Sequence, residues 1–240
     1  MTDAAPSPPP RAIAILGMHR SGTSALTGSL LQAGVYLGRV LDGGFALNPK
    51  GLQEPAAVLY MHENLLQANG GSWHEPPDAI EWQPLHKAVR DLFIESRQGR
   101  PLWAFKDPRT LLVLDGWRTV LPSLECIGIF RHPLEVARSL HDRNRFPIEK
   151  GLALWTRYNR ELLAAHERAS FPLVEFVADA ATMADAIGRV LARVGLSPAR
   201  PPDFLDTSLR RFEAAAAPEP LPADTGALFE RLRERSRADA

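Results

Sequence analysis

The sequence predicts an α/β domain of three layers, a mostly parallel sheet with helices on both faces. Three observations predict it. Short apolar runs alternate along the chain with stretches of helical period, the order in which buried strands alternate with covering helices. The runs themselves, such as AIAIL at 12–16 and CIGIF at 126–130, carry no polar residue, so both faces of each strand are expected to be covered. The first run passes through a loop bounded by Gly17 and Gly22 straight into a helical pattern, a strand–loop–helix start that makes the domain P-loop-like in plan.

Each element follows from local pattern. Residues 12–16 form the first strand. Residues 23–33 form a helix with Leu26, Leu30 and Leu31 on its buried side, ended near Gly34 by the conformation that glycine supplies at helix ends. Residues 38–56 are rich in Gly, Pro and Asn and read as loop. Helical pattern resumes at 57–68, is broken by GGSWHEPPD, and returns at 83–97. PLWAFKDPRT is a strand running into a proline turn, 111–121 is helical, and LECIGIFRHP is a second buried strand. Pro133 suits the first turn of the next helix. An amphipathic helix at 149–168 carries Leu152, Trp155, Tyr158 and Leu162; FPLVEFV is a further strand; a helix at 181–194 ends at Gly195. Beyond Pro198 the chain is rich in Pro and Ala, with a charged helix at 224–236. No internal repeat appears. Residues 1–11 read as a flexible tail and 12–240 as one domain.

Composition removes several function classes. With 45% apolar and 23% charged residues in 240, the chain has the make-up of a globular protein with a sizeable core. Lys and Arg balance Asp and Glu at 28 each, which argues against a general polyanion binder, so no nucleic-acid partner is expected. The lone Cys126 excludes an internal disulfide framework, and no Cys/His cluster has zinc spacing, so no metal is expected. MTDAAPSPPPR lacks the charged start and apolar stretch of a signal peptide, and no run is long enough to span a membrane. The expected compartment is the cytoplasm. Of the 28 basic residues only four are lysines, Lys50, Lys87, Lys106 and Lys150, so a lysine inside a motif draws notice.

Three loops with distinctive side chains follow strand ends, after Leu16, Phe105 and Phe130, where open parallel sheets bind ligands. The first, GMHRSGTS at 17–24, presents backbone N–H groups and the positive end of a helix dipole to an anion. Arg20, Thr23 and Ser24 add donors without adding acid. A strand–helix turn that uses its glycines only for geometry is the plainer reading of such a pair. A kinase or NTPase would need a loop lysine near the phosphates and a carboxylate to help hold magnesium. Here Thr23 takes the lysine's place, and the end of the IGIF strand offers Arg131 and His132. Cations stand where metal ligands would be, which points to transfer of an anionic group without magnesium.

GMHRSGTSAL resembles the 5′-phosphosulfate loop of sulfotransferases that use 3′-phosphoadenosine 5′-phosphosulfate (PAPS). FRHPLEVARSL resembles their 3′-phosphate motif, an arginine at a strand end followed eight positions later by a serine, here Arg131 and Ser139. NPKGLQE and WAFKDPRTLLVLDGW resemble segments of bacterial and tyrosylprotein members. The likeness runs in matching order from about residue 12 to 196.

The resemblance implies a sulfonyl donor, PAPS, and a small-molecule or carbohydrate acceptor. Gly17, His19, Arg20, Ser21, Gly22, Thr23 and Ser24 would hold the 5′ end of the donor, with Arg20 near the bridging oxygen. Arg131 and Ser139 would hold the 3′-phosphate and discriminate against ATP; a surface ion pair and a helix-face residue are their plainer readings. Lys106 would neutralise charge on the transferring group or the leaving phosphate, or else pair with Asp107, and Asp107 and Arg109 would brace the turn. Glu54 matches the glutamate that takes the acceptor's proton in carbohydrate and tyrosylprotein members; its other reading is a solvated loop carboxylate. Phe176 would stack on adenine or belong to the core. Trp73 or Trp82 would face an acceptor ring or pack. His62 and His141 read as structural or exposed, as does the His19 imidazole itself. Two features depart from the family: EFVAD replaces a YED pattern, and the C-terminal glycine- and lysine-containing motif is absent, with Arg210 and Arg211 as possible substitutes. A kinase with a degenerate P-loop and a non-catalytic nucleotide-binding module are the alternatives.

Overall fold

Among the described residues, β1 (Arg11–Leu16), β2 (Leu102–Lys106), β3 (Glu125–Arg131) and β4 (Leu173–Phe176) form one sheet in the order β2-β1-β3-β4, with every pairing parallel. The structure, a computed structural model, describes residues 10–41, 53–197 and 220–238. Between the strands, in chain order, lie α1 (Thr23–Gln32), α2 (Ala56–Ala68), α3 (Pro84–Glu95), α4 (Thr110–Arg118), α5 (Pro133–Asn144), α6 (Ile148–Arg168), α7 (Ala180–Arg193) and α8 (Ala223–Ala238).

The period-two alternation of each strand splits the core into two layers. Ile13 and Ile15 of β1 and Ile127 and Ile129 of β3 pack with Leu26, Leu30, Ile187 and Leu191, so α1 and α7 cover one face. Ala14 and Leu16, Trp103 and Phe105, and Phe130 pack on the other face against residues of α2, α4, α6 and α8. The three-layer α/β class expected from the sequence is the fold observed.

The helix ends show why the chain breaks where it does. Pro133 sits at the start of α5, Glu135 lies in its first turn, and His141 and Arg143 lie in its last, an arrangement that complements the helix dipole. Asp179 caps α7 by accepting from the Thr182 N–H at 2.8 Å. α1 is different: its cap is Gly22, and neither a capping side chain nor an acidic residue occupies its first turn. That helix start keeps its positive end toward the strand ends.

Element limits fall within a few residues of those expected. α4 stops at Arg118 and bends at Val113, whose φ and ψ are −128° and 15°. Trp82, one of two tryptophans left open as a candidate acceptor platform, packs on Gly116 so closely that a Cβ there would lie 2.2 Å from its ring. It also meets Trp117 edge to face at 6.3 Å. Trp82 belongs to the packing. Among the described residues no helix is long and apolar enough to cross a membrane.

Candidate active site

The carboxyl ends of all four strands open on one side, and the loop after β1 lies at their centre. Its backbone is held in an unusual shape: Arg20 has φ 69° and Gly22 φ 89°. Only glycine takes the second without strain, and a Cβ at Gly22 would lie 2.3 Å from the Phe176 ring. A Cβ at Gly17 would lie 2.5 Å from the carbonyl oxygen of Ile129, so this glycine lets the loop press on β3. Thr23, standing at the lysine position of a nucleotide-binding loop, turns its methyl group toward Gly17.

Lys106 ends β2 with its side chain on the α1 side of the sheet. Its Nζ donates to Glu54 Oε1 at 2.9 Å and lies 3.5 Å from Ser24 Oγ. Both members of the ion pair are buried, with side chains 2% and 6% exposed. Glu54 is therefore no solvated loop carboxylate, and Lys106 pairs across to it instead of with its neighbour Asp107. Burial raises the Glu54 carboxyl above the ordinary value, with Lys106 opposing the shift.

Asp107 and Arg109 brace the turn below. Asp107 accepts from the Arg109 backbone N–H at 2.7 Å and from Nη1 at 2.9 Å, and Arg109 Nη2 reaches Glu63 Oε1 at 2.7 Å. Trp117 donates its indole N–H to His62 Nε2 at 3.0 Å. Indole can only donate, so the proton of neutral His62 sits on Nδ1, 3.4 Å from Asp107 Oδ1. Burial alone would raise Asp107, but Arg109 and then His62 outweigh it and hold the carboxyl well below the usual range.

The Arg131–Ser139 segment adjoins the β1 loop. Arg20 Nε donates to Ser139 Oγ at 2.7 Å, joining the β1 loop to α5 across 119 residues of sequence. Ser139 is buried at 3% exposure. Arg131 ends β3, pairs with Glu135 at 2.5 Å, and lies over the Phe176 ring at 5.2 Å. Its carbonyl oxygen accepts from Trp155 Nε1 at 2.9 Å. Arg131 does make the ion pair of its plainer reading, but at the site's edge. The Phe176 ring lies between Gly22 and Arg131 and also touches the α1-side core.

An aromatic wall closes the other flank. The His19 ring lies 4.5 Å from Trp73 and 6.0 Å from Tyr158, and Trp73 continues to His74 and Phe146 at 5.2 and 5.8 Å. Tyr158 fixes this wall by donating to the Trp73 carbonyl at 2.8 Å. Burial, reinforced by Arg109, holds His19 well below its ordinary pKa and therefore neutral.

Sequence reasoning gave no site role to Glu63, Glu135 or Tyr158, and left Trp73 open. Helical spacing marks Tyr158 only as part of an amphipathic face, Glu135 stands at i,i+4 from Arg131, and Glu63 reaches Arg109 from α2, 46 residues away. Arg210, Arg211 and Lys50 lie outside the described residues.

The donor set suits a large anion with two charged ends. Ser21 Oγ and His19 Nε2 are buried in the loop without a hydrogen-bond partner, and buried polar atoms are ordinarily satisfied. Arg20, Ser24, Lys106, Arg131 and Ser139 add charge and hydroxyl donors around them. Among the described residues no group of three or more His, Cys, Asp or Glu side chains stands together as a metal site.

No protein-family model matches the chain, and no curated protein matches it in sequence. Solved structures do match. The sulfotransferase domain of the Synechococcus PCC 7002 olefin synthase superposes with a TM-score of 0.62 at 20% identity, over 95% of each chain. Sulfotransferase STF1 from Mycobacterium tuberculosis H37Rv gives a TM-score of 0.44 at 16% identity, over 97% of this chain and 78% of that one. The chain has the fold of a sulfotransferase domain.

Proposed function

We propose that this protein is a PAPS-dependent sulfotransferase acting on a hydroxyl acceptor, with a carbohydrate as the acceptor class that the aromatic wall favours, and that residues 12–240 form its single domain. The observation that carries the reading is the meeting of the strand-end motifs: Lys106 reaches Glu54 and Ser24, while Arg20 reaches Ser139. A structural turn has no need of two such links between loops that follow three different strands.

Gly17, His19, Ser21, Gly22, Thr23 and Ser24, at the start of α1, would bind the 5′ end of the donor, and Arg131 and Ser139 its 3′-phosphate. Phe176, beside both, would lie against adenine. When bound, PAPS supplies the sulfonyl group and leaves as adenosine 3′,5′-bisphosphate. Lys106 and Arg20 would supply fixed positive charge beside the donor's sulfonyl end, where cations act at little reorganisation cost. Glu54 takes the acceptor's proton. Its burial raises its affinity for that proton, which favours a general base at neutral pH. Trp73 offers a ring face at the loop, the surface on which a sugar packs.

The test is product formation. PAPS and a panel of hydroxyl acceptors are incubated with the protein without added metal, and bisphosphate release is followed by chromatography. Release that depends on an acceptor supports the reading; none with any acceptor, alongside firm bisphosphate binding, favours a module that kept the site and lost the chemistry.

A further inference from the structure

A second cavity, of about 510 Å³, shares no lining residue with the site above. Val89, Leu92, Phe93 and Arg97 from α3 and its end form one side, and Arg39 and Val40 the other. Among the described residues the lining is apolar except for its two arginines and Ser96.

Arg97 is the unusual member. It is 7% exposed, and its guanidinium lies 4.4 Å from the Phe93 ring centre and 5.3 Å from that of Tyr36. A Cβ at Gly38, which has φ 70°, would come within 2.1 Å of Arg97 Nη1. The main chain at Gly38 thus packs against one side of this charge, and the cavity lies against another. Among the described residues no carboxylate pairs with Arg97, and its Nε is buried without a hydrogen-bond partner. Arg39, exposed at the cavity, and Arg100, 4.2 Å from the Tyr36 ring, carry no ion pair among the described residues either.

An arginine cannot escape burial by losing its proton. Contact with ring faces and a hydrogen bond to the Tyr36 side chain recover part of the lost hydration; neither brings a carboxylate to the charge, and an anion would. The apolar surface continues outward from the cavity along α3, where Leu85, Val89 and Leu92 fall at helical spacing on one side. Leu85 and Leu92 are 66% and 64% exposed.

We propose that this cavity binds an amphipathic monoanion, an aliphatic carboxylate of medium chain length, with its carboxylate on Arg97 and its chain along Val89 and Leu92. Charge complementarity selects the anion and the apolar stripe selects the chain. The site is independent of the sulfonyl-transfer reading and needs no turnover.

Titration calorimetry on the full chain tests it with three probes: decanoate, acetate and decyltrimethylammonium. Decanoate is expected to bind with one-to-one stoichiometry, and the short anion and the long cation are not. Arg97→Met should weaken decanoate by about tenfold or more, the scale of a lost charge-assisted contact. Because removing a buried arginine can disturb folding, Val89→Trp serves as the second variant. It fills the cavity and should abolish decanoate binding while the circular dichroism spectrum and bisphosphate binding stay as in the parent. Equal binding of the cation, undiminished binding in both variants, no saturable binding of decanoate, or sedimentation showing a dimer that excludes decanoate would each overturn the proposal.

Discussion

Glu54 and Lys106 hold each other where water scarcely reaches, at 2.9 Å, and that pairing sets what each can do. Burial raises the Glu54 carboxyl's affinity for a proton while Lys106 opposes the shift, a balance suited to taking a proton when a hydroxyl is brought to it. Glu54→Gln keeps a hydrogen-bond acceptor for Lys106 but removes the base. The account predicts a fall in kcat of about 10²–10⁴-fold, the usual contribution of general-base catalysis, with bisphosphate affinity unchanged; steady-state rates alongside calorimetry check it. Lys106 was legible in the sequence because lysine is scarce and this one ends an apolar run. Glu54 was marked as well, by the NPKGLQE resemblance, but its pairing with Lys106 was not, since the two lie 52 residues apart and no periodicity links a loop to a strand end. The same holds for Arg20 and Ser139, each marked by its own motif, whose direct bond only the fold reveals.

At the scale of elements, the proposed anion site rests on the β1 loop and the start of α1, where two glycines let the chain pass between β3 and Phe176. Gly22→Ala meets two obstacles: a left-handed backbone that costs about 1–2 kcal/mol without glycine, and a Cβ 2.3 Å from the Phe176 ring. The expected outcome is a lower melting temperature together with loss of bisphosphate binding, read by calorimetry and a titration on the same sample. Most elements were legible from sequence, since apolar runs and helical periods mark them and Pro133 and Gly195 punctuate them. The bend in α4 was not, because the pattern around Val113 is uninterrupted. Nor was the choice between Trp73 and Trp82, which share composition and loop setting. Gly116 leaves the space into which Trp82 packs, and the Tyr158 hydroxyl holds the Trp73 carbonyl, with the Trp73 ring beside His19.

For the whole molecule, the parallel order β2-β1-β3-β4 brings all the strand ends to one side, so stability and site chemistry share the residues beneath the loops. Asp107 is the clearest case. Its folded pKa is depressed, so its contribution is complete above the unfolded value of about 3.9 and is lost as pH falls through the folded value. Asp107→Asn should cost about 3–5 kcal/mol at neutral pH, the scale of a broken buried pair. The gap between variant and parent should narrow as pH drops below the carboxylate range, as denaturant melts across pH would show. The most direct test of the central claim is thermal stability with adenosine 3′,5′-bisphosphate, with ADP, and with ATP and magnesium, in the parent and in Arg131→Ala. A ligand that binds only the folded state raises the melting temperature. The account predicts stabilisation by the bisphosphate alone, lost in Arg131→Ala; stabilisation only by ATP with magnesium would contradict it and make this site a kinase's.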